Sequence, residues 1–162
     1  MIKNFKIEFK WAMFFTLLNL LWLYAEKALG WHDESIGMYS IYSMALNLPL
    51  IAIVYLCIRE KNEKIYHQKI DWRKAFISGA IFSGIVAGFS PVPIFVLGEY
   101  VSPEFFNKAV ITAVKNGTNQ SSAETLYNMG AFTRQAMFGN LATGIFWSAI
   151  IALFFKKKKP SK

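Results

Sequence analysis

Apolar side chains come in four long runs along the 162 residues, at positions 11–29, 38–58, 75–98 and 131–155, and the charged residues collect between them. Each run is close to the ~20 residues that carry a helix across ~30 Å of hydrocarbon. The runs are apolar nearly all round, whereas a helix of a soluble domain is apolar along one stripe. The pattern predicts an all-α membrane protein, with four transmembrane helices in an antiparallel bundle and one domain over residues 1–162. The first run has a basic front like a signal peptide, but Glu26-Lys27 stands where a small-residue cleavage site belongs, so it reads as an uncleaved helix. Pro49 predicts a kink in the second span, and Pro91-Val92-Pro93 one in the third.

The connections differ in kind. Positions 30–37 are short and acidic, which predicts a tight hairpin between spans one and two. Positions 59–74 are polar and basic, with Tyr66 and Trp72 suited to headgroup anchoring. The segment at about 102–130 has helical signals of its own. Ser102-Pro103 predicts a capped start, and Phe105, Phe106, Ala109, Val110 and Ala113 recur at helical spacing. Asn116-Gly117 predicts a stop, and Ser121 with Glu124 a capping box that opens a second helix running into span four. A short helical hairpin on the outer face is the expectation.

Composition fits a membrane bundle, at 54% hydrophobic and 17% aromatic residues. The net charge of +8 would suggest nucleic acid in a soluble chain, but its distribution follows the membrane. All but four of the 18 lysines and arginines lie before span one, between spans two and three, or after span four. The exceptions are Lys27, Lys108, Lys115 and Arg134. The positive-inside rule then puts both termini in the cytoplasm, with the basic segments against anionic headgroups of the bilayer and no nucleic-acid partner. The single Cys57 excludes an internal disulfide and a Cys-rich metal site.

Several residues together carry a resemblance. They are Ile2-Lys3-Asn4-Phe5-Lys6 with Lys10-Trp11, Glu26-Lys27 with Gly30, His32 and Asp33, Asp71-Trp72 with Phe76 and Gly79, Ser90-Pro91, and Pro103 with Phe106. In these the chain resembles a family of small bacterial membrane proteins catalogued as domain of unknown function 4199. The resemblance covers essentially the whole chain. It implies a multi-pass protein of the bacterial inner (cytoplasmic) membrane with this four-span plan, and it carries no known activity, cofactor or catalytic residue.

The chemistry rests on polar groups set in hydrocarbon. Thr16, Asn19 and Glu26 share a face of span one, Ser40, Ser43 and Asn47 a face of span two, and Asn140 and Thr143 a face of span four. Asn19, Asn47 and Asn140 are expected to join helices, or alternatively to line a polar path for a solute or proton. Glu26 is expected to pair with Arg134, the cation at the outer end of span four. Ala80, Gly84 and Gly88 form a small-residue ribbon on span three, and Gly144, Ser148 and Ala152 one on span four, predicting close helix packing or homodimerisation. His32-Asp33-Glu34 places ligand-type residues in a row, but adjacent residues rarely all reach one ion. No nucleophile motif or phosphate loop is present in the sequence. The resulting expectation is a non-enzymatic protein with no cofactor or metal. It would act as an accessory or scaffold subunit with a membrane-protein partner, or as a homo-oligomer. The alternative is a small-solute or proton-coupled transporter using the polar seam.

Overall fold

The computed structural model describes residues 5–155, and its regular structure is entirely helical. Lys3 and the basic residues Lys156, Lys157, Lys158, Lys159 and Lys162, invoked above for topology, lie outside the described residues. The long elements are α1 (Lys6–Ala28), α2 (Ile36–Lys64), α3 (Trp72–Val101) and α6 (Met129–Phe154). Between α3 and α6 lie the shorter α4 (Phe105–Lys115) and α5 (Gln120–Leu126).

Three of these, α2, α3 and α6, are long and apolar enough to cross a membrane. Only 22% of the most apolar stretch of α6 is buried, and 28% of that of α2. Phe138, Phe146, Phe154 and Leu48 therefore face outward, an arrangement suited to lipid and adverse in water. The 23-residue α1 packs beside them, but Lys6, Glu8, Lys10, Glu26 and Lys27 shorten its apolar middle.

Consecutive long helices run antiparallel, and α3 is central. Its buried residues Ala75, Ser78, Gly79, Phe82, Ser83, Val86 and Ala87 advance in steps of three and four, the spacing of one broad helical face. That face meets α1 and α6. Against α6 the approach is close: a Cβ on Gly79 would stand 2.5 Å from Ser148 Cβ, and one on Gly144 2.7 Å from Ser83 Cβ. Glycine opposite serine thus repeats twice, in opposite order, along the two helices. Each serine hydroxyl donates back to the carbonyl four residues earlier, Ser83 to Gly79 at 2.7 Å and Ser148 to Gly144 at 2.6 Å, so no polar group is stranded in the seam.

This corrects one face assignment. The ribbon predicted on α3, with Gly84 and Gly88, points outward, and nothing stands within 4 Å of a Cβ placed on either. The packing ribbon is one residue back, Gly79 with Ser83. A one-residue step is ~100° of helix rotation, and both faces of α3 carry small residues. The ribbon predicted on α6 does pack inward, with Gly144, Ser148 and Ala152 all buried.

Two interruptions shape the His32 end of the bundle. In α3, Pro91 and Pro93 lack the N–H groups that would bond back four residues, and the helix breaks in a turn at Ser90. Ser90 N–H donates to Ala87 O at 3.2 Å, and its hydroxyl donates to Val86 O at 3.1 Å, which recovers the carbonyl left by the tightened turn. In α2, residues before Asn47 alternate between tight three-residue turns and one α turn, and the regular helix begins only at Asn47, with Pro49 in its first turn.

The shorter helices cap this end. Phe105 is buried among His32, Tyr39 and Phe132, while Phe106 is half-buried. The predicted Ser102 cap does not form, because the Ser102 hydroxyl is spent on His32 and α4 starts at Phe105. Asn119 caps α5 in place of Ser121, accepting from Ser121 N–H at 3.0 Å. The expected continuous run into α6 is broken at Tyr127 and Asn128, and Asn128 caps α6 by accepting from Ala131 N–H at 2.9 Å.

Candidate functional site

The helices pack tightly at the Glu8 end around Phe15, Leu50, Val54, Cys57, Ile58 and Phe82. Toward the His32 end they part around a cavity of about 300 Å³. Asn19, Trp22 and Glu26 enter it from α1, Ser40, Ser43 and Asn47 from α2, and Asn140 and Thr143 from α6. The Pro91–Pro93 kink supplies Ser90, Pro93 and Ile94, and Phe15, Leu23 and Phe132 complete the apolar walls. The three asparagines and the glutamate that stood out in the apolar runs thus meet in one space. Ser40, Met44, Gln135 and Gly139 of the lining are exposed, which sets the mouth between the first half of α2 and α6.

The amides are oriented by their neighbours. Asn140 Nδ2 donates to Ser90 Oγ at 2.9 Å, the hydroxyl that itself donates to Val86 O. Asn47 Nδ2 donates to Met44 O at 2.9 Å. In both residues one N–H of the amide is committed and the carbonyl oxygen is left available as an acceptor.

Glu26 is buried at the His32 end of the cavity. The expected pair with Arg134 does not form. Trp22 Nε1 donates to Glu26 Oε1 at 2.8 Å, one helical turn away on α1, and His32 Nε2 lies 3.3 Å from Glu26 Oε2. Arg134 is exposed on α6, and Lys27 turns away to donate to the Val101 carbonyl. His32 is fully buried, its ring edge-on to Tyr39 at 5.6 Å and to Phe105 at 5.3 Å. Its Nδ1 meets Ser102 Oγ at 2.9 Å. The row His32-Asp33-Glu34 therefore diverges: His32 points inward, and Asp33 pairs with Lys108 of α4.

Ser102, His32 and Glu26 form a hydroxyl–imidazole–carboxylate chain. Of the three only Glu26 lines the cavity. A serine nucleophile needs the reverse arrangement, with the hydroxyl facing substrate and the carboxylate behind. This chain instead presents a braced carboxylate to the cavity.

A second buried polar group sits at the other end. Glu8 Oε1 accepts from Lys61 Nζ and from Ser78 Oγ, the latter at 2.6 Å, joining α1, α2 and α3. Lys61 was expected among solvated loop cations, but α2 continues to Lys64 and carries it inside. Glu60 beside it accepts from Trp11 Nε1 at 2.7 Å and from Lys64 at 2.9 Å. The signal for this cluster was Glu8 itself, an acid at the edge of an apolar run. The signal for the brace on Glu26 was Trp22, four residues earlier on the same face.

These features define a helical protein with three helices long and apolar enough to cross a membrane and a polar cavity among its helices. The chain belongs to the family described as Protein of unknown function (DUF4199), whose family model matches residues 10–157. Neither a curated protein nor a solved structure matches it.

Proposed function

We propose that the protein is a non-enzymatic, multi-pass protein of a bacterial inner membrane whose cavity binds a small polar solute, as a transporter or a solute-binding subunit would. In this reading α1 is the fourth crossing, both termini are cytoplasmic, and the cavity opens from the outer half of the bundle. The basic segments rest on anionic headgroups. One observation carries the reading: Asn19, Asn47, Asn140 and Glu26 line a single cavity of about 300 Å³. Interhelical glue would consume these groups in direct helix-to-helix bonds. Asn140 bonds to Ser90 of α3 and Tyr39 of α2 reaches Glu26, but among the described residues neither Asn19 nor Asn47 is spent on another helix. Kinked helices with polar groups at the break are also how membrane proteins build solute sites.

The scaffold or homo-oligomer reading keeps one favouring observation. Gly84 and Gly88 present a small-residue face outward, where a second helix could approach closely. Both readings meet one experiment. The full-length protein, purified in mild detergent, is screened by thermal shift against a panel of small polar metabolites. Ligand binding raises Tm by linkage. A compound that raises Tm in the parent but not in Asn19→Leu or Asn140→Leu supports the solute site. A flat panel, together with a stoichiometric protein partner in the same preparation, supports the scaffold and overturns the solute site.

A further inference from the structure

Resting on the solute-binding reading, we infer that the ligand is a small protonated amine carrying further N–H or O–H donors. The argument is the charge and hydrogen-bond inventory of the cavity wall. Glu26 is the one charged side chain among the described residues lining it. Its contacts, the Trp22 indole, His32 and the hydroxyl of Tyr39, include no lysine or arginine. A neutral imidazole satisfies both His32 contacts, with Nε2–H donating to Glu26 and Nδ1 accepting from the Ser102 hydroxyl. A carboxylate accepts at about four lone-pair sites, so these three donors leave room for one from a ligand. A buried charge at membrane depth is costly without a counter-charge, and a cationic ligand would supply one.

The rest of the wall agrees. Asn140 and Asn47 each commit one of two amide N–H groups, to Ser90 and Met44, so each keeps a carbonyl oxygen that can accept from a ligand. Trp22, Phe15 and Phe132 add aromatic walls of the kind that attract an ammonium group. An anion would meet Glu26 with no compensating cation. The mouth between α2 and α6 admits two sources of such a group, a soluble amine or the amine of a lipid headgroup.

The test uses three four-carbon probes of matched length against the full-length protein in lipid-free detergent: 1,4-diaminobutane, 1,4-butanediol and succinate. Calorimetric titration is expected to give binding of the diamine, roughly tenfold or more above the diol, and none of succinate. Glu26→Gln is expected to weaken the diamine by roughly tenfold and to erase its advantage over the diol. Because Glu26→Gln removes a braced group, Asn19→Asp serves as a second variant. It adds a carboxylate to the wall and is expected to tighten the diamine. Succinate binding as tightly as the diamine, or diamine affinity indifferent to both variants, overturns the inference. If the diol or succinate binds at least as tightly as the diamine and Asn140→Leu abolishes it, the solute site stands and the amine preference falls. Failure of all three probes overturns the amine preference, while the metabolite panel decides the solute site separately. Repeating the titration with phosphatidylethanolamine or phosphatidylcholine present separates the sources. Displacement by the former alone assigns a lipid amine, and no displacement by either assigns a soluble one.

Discussion

Asn140 on α6 donates its side-chain amide to the hydroxyl of Ser90 on α3 at 2.9 Å, one residue before the first proline of the kink. The contact ties the bend in α3 to α6 at the cavity wall. Asn140→Leu should lose about 0.6 kcal/mol, the usual scale of an interhelical hydrogen bond in a membrane bundle. Ser90→Ala should cost more, about 1–2 kcal/mol, because it leaves both Val86 O and the Asn140 amide short of a partner. Thermal unfolding of both variants in one detergent gives the order.

The α3–α6 seam makes a sharper claim. Gly79→Leu and Gly144→Leu must push helices apart, since even a Cβ at either position meets a serine side chain well inside contact distance. Each should lower stability by about 3 kcal/mol, near the upper end of overpacking costs, or prevent folding. Gly84→Leu, on the outward face, should unfold close to the parent. Equal loss in Gly84→Leu would mean that the outward ribbon is packed in the protein as isolated.

The buried pair of Glu8 and Lys61 predicts non-additivity. Removing one partner strands the other charge, so Glu8→Gln or Lys61→Met alone should cost about 3–5 kcal/mol. Glu8→Leu combined with Lys61→Met should recover much of that loss. A double-mutant cycle on unfolding midpoints measures the coupling. A double variant no better than the worse single would reject a paired role.

Asp33 and Lys108 link the loop after α1 to α4 outside the spans, and the hydrogen bond from Lys108 holds the Asp33 carboxyl below its ordinary range. A depressed carboxylate contributes stability above its unfolded pKa of about 3.9 and loses it as pH falls through the lowered value. Both side chains are 45% exposed, so the contribution should stay below about 1 kcal/mol. Limited proteolysis should therefore cut within α4 faster in Asp33→Asn than in the parent at pH 7, and the difference should narrow as the pH falls below about 3.9.

The long helices were legible because length and unbroken apolarity are physical requirements of a bilayer, independent of the partners each helix finds. Asn19, Asn47 and Asn140 were legible for the same reason, as amides where hydrocarbon offers no partner. What they do there was not, since glue and cavity wall use the same residue type. The partner of Glu26 was hidden by the hairpin: the chain reverses after Gly30, which takes a positive φ of 75°, and folds His32 back under α1. No periodicity reports such a reversal. The packing face of α3 was hidden because small residues occupy two adjacent faces, and only Gly144 and Ser148 of α6 choose between them. Ser102 misled because a serine before proline reads as a helix cap, whereas a buried imidazole competes for its hydroxyl.

The central claim is that the space among Asn19, Asn47, Asn140 and Glu26 is open to water and to small solutes. Thr143 lines it, while Phe146, one turn further along α6, faces outward. In a Cys57→Ser background, Thr143→Cys and Phe146→Cys are each exposed to a water-soluble, positively charged methanethiosulfonate reagent in intact membranes. The account predicts modification of Thr143→Cys, slowed by 1,4-diaminobutane, and none of Phe146→Cys. Failure of Thr143→Cys to react, under conditions where an exposed control such as Ser122→Cys reacts fully, would contradict it.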